Sequence, residues 1–424
     1  INLATLFLSL SRHLDAEREL ILAEQCGDNS AELWLNRAQV EIRREELDEA
    51  RGFIRKAAKI NPGHHDIPYL KGVVSEQEHD LSEAFKNYIY CLNRNPAYAE
   101  AWGRLSSVVN EGTEFIDYTE LEALKGILDK AQNQKISSVK VLTNIINVQK
   151  KTLVWNHLEH FEAQIIGYLT GARVIDTPST FVTLTLPIEQ KFITESYKNE
   201  YAFTNLGKNK ILKKQKSSRI CFISSDLRSH AVGHLLRDTI IEGIHFREYD
   251  CIYTGPPDGK SIHKEIAANF KTFYRAASLS EEDRRSLILE NEYDLIVDLN
   301  GHTGTSNVSL LSNLEIPVAH WLGLPSSTGS SVFDYLICDE IVTPQNERGA
   351  ISEVPCYLPK SYVPSRNVKT NSLNKTEFKF GTFQSLYKLN PALLRTWSEI
   401  LAQCEGAKLV MAAPEGGKTI LRNL

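Results

Sequence analysis

A 34-residue period in the first quarter of the chain constrains its fold more than any other feature. Residues 31–62 superpose on 65–96, with Ala38 on Gly72, Ala50 on Ala84, Ala57 on Cys91 and Pro62 on Pro96. Trp34, Pro68 and Trp102 hold one further equivalent position, and counting back 34 from Ala57 and Ala50 reaches Ala23 and Ala16. Proline makes up about 5% of average sequence, so two in register with three matched small residues are poorly explained by chance. The pattern has a physical purpose. Small residues let two antiparallel helices approach closely, and proline stops the second helix before the next unit begins.

The period and its small-residue positions resemble the tetratricopeptide repeat, which predicts an α-solenoid whose grooved surface docks protein partners. The match fades after Trp102, and helical patterning then continues through Leu121–Asp129, Val139–Val148 and Trp155–Tyr168. These stretches read as a helical connector. The run Lys208, Lys210, Lys213, Lys214, Lys216 and Arg219 reads as a solvated approach to the next strand. At 424 residues, with 42% hydrophobic and 24% charged residues, the chain suggests two or three folded domains rather than a disordered or fibrous protein. A net charge of −5 gives no general reason to expect nucleic-acid binding. No window approaches the roughly 20 apolar residues that cross a bilayer. The seven cysteines include no Cys-x-x-Cys pair, which argues against a zinc ribbon or thioredoxin-type site and suggests reduced thiols in a cytoplasmic protein. Both ends read as cut, since the chain starts at Ile1 without Met and stops at Leu424 after a strand and a glycine turn.

From residue 219 the period changes. The strand-like runs Arg219–Ser225, Tyr249–Gly255, Tyr293–Leu299, Pro317–Gly323 and Tyr335–Asp339 are interleaved with helical stretches at Val232–Ile244, Ile262–Phe270 and Glu281–Leu289. Apolar strands alternating with helices predict a doubly wound parallel sheet. Ligands bind such sheets beyond the carboxyl ends of the strands. Polar, glycine-bearing loops stand at three of those ends: Ser224–His234, Asn300–Thr303 and Trp321–Gly329. Backbone N–H groups, hydroxyls and an amide suit a sugar or phosphate, and an imidazole among them suits proton transfer.

The set SSDLRSHAVGH (224–234), PPDG (256–259), DLIVDLNGHT (294–303), WLGLPSSTG (321–329), FDYLICD (333–339) and FQSLYKLNP (383–391) resembles the O-GlcNAc transferase/SPINDLY family. The resemblance implies tetratricopeptide repeats (1–115), a helical connector (116–205), the N-terminal catalytic lobe of a GT-B glycosyltransferase (206–370) and the start of a nucleotide-sugar lobe (371–424). It also implies metal-independent, inverting transfer of a sugar, expected to be GlcNAc from UDP-GlcNAc, to Ser or Thr of a protein docked by the repeats. No other cofactor, nucleic acid or membrane enters that reading.

The family's chemistry carries over residue by residue. His230 matches the histidine of the serine-serine-aspartate loop, the candidate base or acceptor-side hydrogen-bonding group. A positioned base is worth about 10²–10⁴ in rate. His234, one helical turn on, reads as structural. Asp226 reads as an orienter of the loop, since inversion needs no covalent carboxylate. Asn300, Thr303, Leu322, Gly323 and Pro325 match positions lining the sugar pocket. Lys388 matches the lysine that neutralises the diphosphate leaving group, and Tyr387 lies beside the sugar in the family. A lysine in a loop before a helix start, Pro391 in the first turn, suits that task.

Three departures stand out. Leu324 replaces a tyrosine, Ser385 replaces a glutamine, and Leu314–Pro317 lacks an arginine-proline lead-in. The family's later histidine-threonine-threonine-glycine loop is absent, so a chain ending at Leu424 is expected to bind UDP-sugar poorly and to be inactive by itself. The alternatives are a SPINDLY-like O-fucosyltransferase using GDP-fucose, a repeat scaffold with an inactive transferase domain, and a GT-B-like sugar-nucleotide epimerase.

Overall fold

The computed structural model describes residues 1–10, 12–171, 180–200, 219–241, 248–303, 306–324, 326–363 and 378–412. The chain divides into two units, Ile1–Gly167 with Asn374–Leu424, and Tyr168–Leu373.

The first unit begins with helices α1 (Asn2–Ser9), α2 (His13–Gln25), α3 (Ala31–Arg43), α4 (Leu47–Ile60), α5 (Asp66–Gln77), α6 (Leu81–Arg94) and α7 (Ala99–Glu111). Pairing follows the sequence period: α1 packs on α2, α3 on α4 and α5 on α6. Ala16, Ala38, Ala50, Ala57, Ala84 and Cys91 are all wholly buried. A Cβ on Gly72 would lie 2.5 Å from the Tyr88 ring, closer than real contacts allow. One period earlier the equivalent pair is Ala38 and Ile54. The small position thus loses its methyl where its partner grows from isoleucine to tyrosine. The backbone repeats too. Glu45 and His79, 34 residues apart, both turn the chain with positive φ, at 65° and 61°. The period then breaks: α8 (Tyr118–Ala131) packs on α6, and α7 packs on α9 (Val139–Thr152). A capping box between Asp117 and Glu120 starts α8, and the Ser138 hydroxyl caps α9. Helix α10 (Leu158–Leu169) follows.

The same unit holds a strand–helix–strand. Strands β8 (Lys379–Thr382) and β9 (Lys408–Met411) pair in parallel, joined through a helix spanning Pro391–Gln403, numbered α17 in chain order. The Asn390 side chain accepts from Leu393 N at 2.8 Å to cap α17, with Pro391 in its first turn. Leu386, Leu389, Leu393, Leu394 and Trp397 pack with Leu153 and Trp155 at the end of α9.

The second unit opens with α11 (Thr180–Thr183) and α12 (Gln190–Glu200). Strands β1 (Ile220–Ser224), β2 (Asp250–Tyr253), β3 (Thr272–Arg275), β4 (Leu295–Asp298), β5 (Val318–His320), β6 (Tyr335–Cys338) and β7 (Val354–Tyr357) form one sheet in the order β3-β2-β1-β4-β5-β6-β7. Every pairing is parallel. Intervening helices are α13 (Ala231–Ile241), α14 (Ser261–Ala267), α15 (Glu281–Glu290) and α16 (Val308–Leu311). Alternate β1 residues face opposite cores: Cys221 and Ile223 pack with Ile288 and Leu311, Phe222 with Val232, Leu236 and Ile266. Both sheet faces are covered, which is why the central strands read as unbroken apolar runs.

The architecture is the expected one, a helical repeat array followed by a doubly wound parallel sheet and the start of another α/β element. Strands β3 and β7 were not anticipated from sequence. The lysine run at 208–216 and the far end of the helix expected over Val232–Ile244 lie outside the described residues.

Candidate active site

Strand β1 pairs with β2 on one side and β4 on the other, Cys221 opposite both Asp250 and Ile296. Strand order reverses there, so the loops after β1 and β4 flank the switch point where such sheets bind ligands.

Asp298, wholly buried at the end of β4, starts the second loop. Its Oδ2 accepts from the backbone N–H of Asn300 and Gly301, and its Oδ1 from Asn307 Nδ2 at 2.9 Å. That arrangement carries Asn300 under the β1 loop. Asn300 Nδ2 donates to Ser225 Oγ at 2.8 Å and Asp226 Oδ2 at 2.9 Å, while Ser225 N donates back to Asn300 Oδ1 at 2.9 Å. Asn300 is wholly buried, and its amide joins the two loops. Thr303 is buried as well, its hydroxyl donating to the Asn300 carbonyl at 2.7 Å.

The third loop closes on these two. A Cβ on Gly323 would lie 2.2 Å from the Leu299 carbonyl oxygen, so only glycine lets the β5 loop lie against the β4 loop. Leu322 precedes it with a left-handed φ of 72°, which costs a branched residue about 1–2 kcal/mol. That expense is tolerated because Leu322 is buried in the sheet core. Pro325 lies outside the described residues. Leu324, where the family has tyrosine, is buried, and its carbonyl accepts from His320 Nε2 at 2.9 Å.

His230 stands just before α13, its carbonyl accepting from His234 N at 2.9 Å. Its Nδ1 accepts from Val232 N at 3.4 Å and lies 3.9 Å from Asp226 Oδ2. With Nδ1 accepting, the neutral ring carries its proton on Nε2; turned toward Asp226, Nδ1–H would leave Nε2 free to accept. The side chain is 41% exposed, so its outer edge reaches solvent. The Asp258 carboxylate accepts from Ser229 N at 3.0 Å and Lys260 N at 2.9 Å, tying the PPDG segment to this loop. His230, Asp226, Asn300 and Thr303 therefore belong to one connected cluster.

Two histidines and an acid that sequence reading had not singled out brace the cluster. His302 donates from Nε2 to the Thr328 carbonyl, and burial holds its pKa down. His320 is wholly buried. Burial alone would lower its pKa, but the Asp298 carboxylate 3.7 Å from Nδ1 and the Leu324 carbonyl outweigh that and raise it. The Glu353 carboxylate accepts from Ser327 Oγ at 2.7 Å and Thr328 N at 2.7 Å, and Gln190 Nε2 of α12 donates to Ser326 Oγ at 2.8 Å. No local sequence pattern points to Gln190 or Glu353, because their partners lie 136 and about 25 residues away.

Tyr387 and Lys388 belong to the other unit, on the 3-10 turn Leu386–Lys388 before α17. Lys388 is exposed and Tyr387 half-buried. No group of three or more metal-ligating side chains occurs among the described residues.

Residues 185–368 match the model of glycosyl transferase family 41. The matched stretch contains all three loops. The probable UDP-N-acetylglucosamine–peptide N-acetylglucosaminyltransferase SEC of Arabidopsis thaliana is 26% identical over 227 residues, covering 49% of this chain and 23% of its own length. The SPINDLY protein of Solanum lycopersicum, described by the same probable activity, is 30% identical over 204 residues, 45% of this chain and 22% of its own. The chain therefore spans less than a quarter of the length of these curated relatives. A solved structure of a Thermobaculum terrenum O-GlcNAc transferase mutant shares the fold, with TM-score 0.57 and 16% identity over 92% of this chain and 71% of that one. No helix among the described residues is long and apolar enough to cross a membrane.

Proposed function

We propose that the chain is the repeat-bearing and first-lobe portion of a protein O-glycosyltransferase that moves a sugar from a nucleotide diphosphate to Ser or Thr hydroxyls. The single observation that carries the reading is the Asp226–Asn300–Thr303 cluster at the β1/β4 switch point, with His230 at its exposed rim, inside the family 41 segment. An imidazole there can take the acceptor proton as the anomeric carbon inverts. Thr303 and the Leu322–Gly323 turn would shape the sugar side. Lys388 would meet the leaving diphosphate, and Tyr387 would lie beside the sugar. This chemistry calls on no metal.

GlcNAc from UDP-GlcNAc is the donor we favour, because the relatives SEC and SPINDLY are both described as probable users of it. The helical repeats would hold the acceptor protein, as grooved stacks of this kind do. Full-length protein incubated with acceptor peptides and equal labelled UDP-GlcNAc or GDP-fucose decides the donor. Label on Ser/Thr from UDP-GlcNAc supports the reading. Transfer from GDP-fucose alone refutes this donor, and absence of transfer and donor hydrolysis with both refutes the activity.

A further inference from the structure

Two adjacent lysines end α9, and they are treated differently. Lys150 is buried and balanced by Glu162, whose Oε1 lies 2.8 Å from its ammonium. Lys151 is half-buried, burial lowers its pKa, and no carboxylate among the described residues lies within ion-pair distance. Its ammonium instead lies over the Tyr387 ring, 5.7 Å from the centroid. A π-face supplies far less than a carboxylate or phosphate would.

Other donors around this corner also lack acceptors. Gln384 Nε2, in the loop leading to Tyr387, and Trp155 Nε1, in the Leu153/Leu389 cluster, are buried without hydrogen-bond partners among the described residues. Buried N–H groups are ordinarily paired. A half-buried cation and unmet donors beside an exposed lysine call for a ligand that only accepts, carries negative charge and has several oxygens.

We propose that Lys151 of α9, with Gln384 and Lys388, forms a phosphoryl-binding seat for the donor's diphosphate, so that a helix following the repeats supplies a ligand-binding charge. This rests on reading the Leu386–Lys388 turn as the diphosphate loop. Lys151 meets Tyr387 through space, and Lys388 follows it along the chain. Two ammonium groups match the charge of a departing diphosphate better than one.

The test uses full-length protein, with pyrophosphate and UDP titrated calorimetrically at low and moderate salt. Lys151→Met, which keeps the apolar stem, is expected to weaken both ligands about tenfold and to flatten the salt dependence. Lys151→Arg is expected to restore most of the loss, and the melting temperature to stay near wild type. Wild-type affinity and salt slope in Lys151→Met overturn the proposal. So does failure of wild type to bind pyrophosphate, or a loss that tracks a lowered melting temperature and is not rescued by arginine. Pyrophosphate binding that depends on Lys151, in a protein that transfers no sugar, would keep the seat and sink the functional reading alone.

Discussion

Asn300 Nδ2 donates to Asp226 Oδ2 at 2.9 Å, joining the loop after β4 to the loop after β1 across the reversal point of the sheet. The bond lies between wholly buried and nearly wholly buried groups, so it fixes where His230 can stand. Asn300→Ala would strand Ser225 N and one Asp226 oxygen without partners. Each buried group left unsatisfied costs about 1–3 kcal/mol. Urea unfolding should show a loss of about 2–5 kcal/mol, and Asn300→Asp, which sets two carboxylates together, should lose more. An Asn300→Ala protein as stable as wild type would contradict the network.

The close approach at Gly323 predicts a backbone effect. In Gly323→Ala the added methyl would lie 2.2 Å from the Leu299 oxygen, and a main-chain atom cannot swing aside as a side chain can. Thermal unfolding of the variant should register a loss of about 1–3 kcal/mol. Wild-type stability would mean that the two loops do not lie against each other.

His302 and His320 predict a stability maximum in pH. The unfolded imidazole value is 6.5 for both. His302 is lowered in the fold, so the unfolded chain takes the proton first, and stability falls as pH drops below 6.5. His320 is raised, so its contribution is full below 6.5 and is lost as pH rises through its folded value. Melting temperature should therefore peak near 6.5. His302→Gln should flatten the acid limb and His320→Gln the alkaline limb; unchanged limbs in both variants would refute the assignment.

Much of this was legible in residues. The 34-residue period located α3 to α6 because helix packing must repeat wherever the small positions repeat, and even the left-handed turns at Glu45 and His79 keep the spacing. Strand β7 was hidden by Pro355. Its edge position explains the tolerance, since an edge strand needs no N–H on its open side. Strand β3 was hidden because Thr272–Arg275 follows the expected helix over Ile262–Phe270 with no glycine or proline to mark the turn. In the candidate site, the loops themselves were readable from the resemblance to the O-GlcNAc transferase/SPINDLY family. The burial of Asn300 was not, because it depends on Ser225 and Asp226, about 75 residues earlier. Nor was the bracing of the third loop by Glu353 and Gln190, which is equally a matter of tertiary placement.

The central claim is that the imidazole at the rim of the β1 loop serves acceptor deprotonation. His230→Asn separates that task from folding, because asparagine is itself a favoured residue before a helix start. The deciding measurement is the rate of sugar transfer from UDP-GlcNAc to an acceptor peptide by full-length wild type and His230→Asn, with unfolding curves on both. The account predicts unchanged unfolding and a rate lower by about 10²–10⁴. Transfer at the wild-type rate by the variant would contradict it.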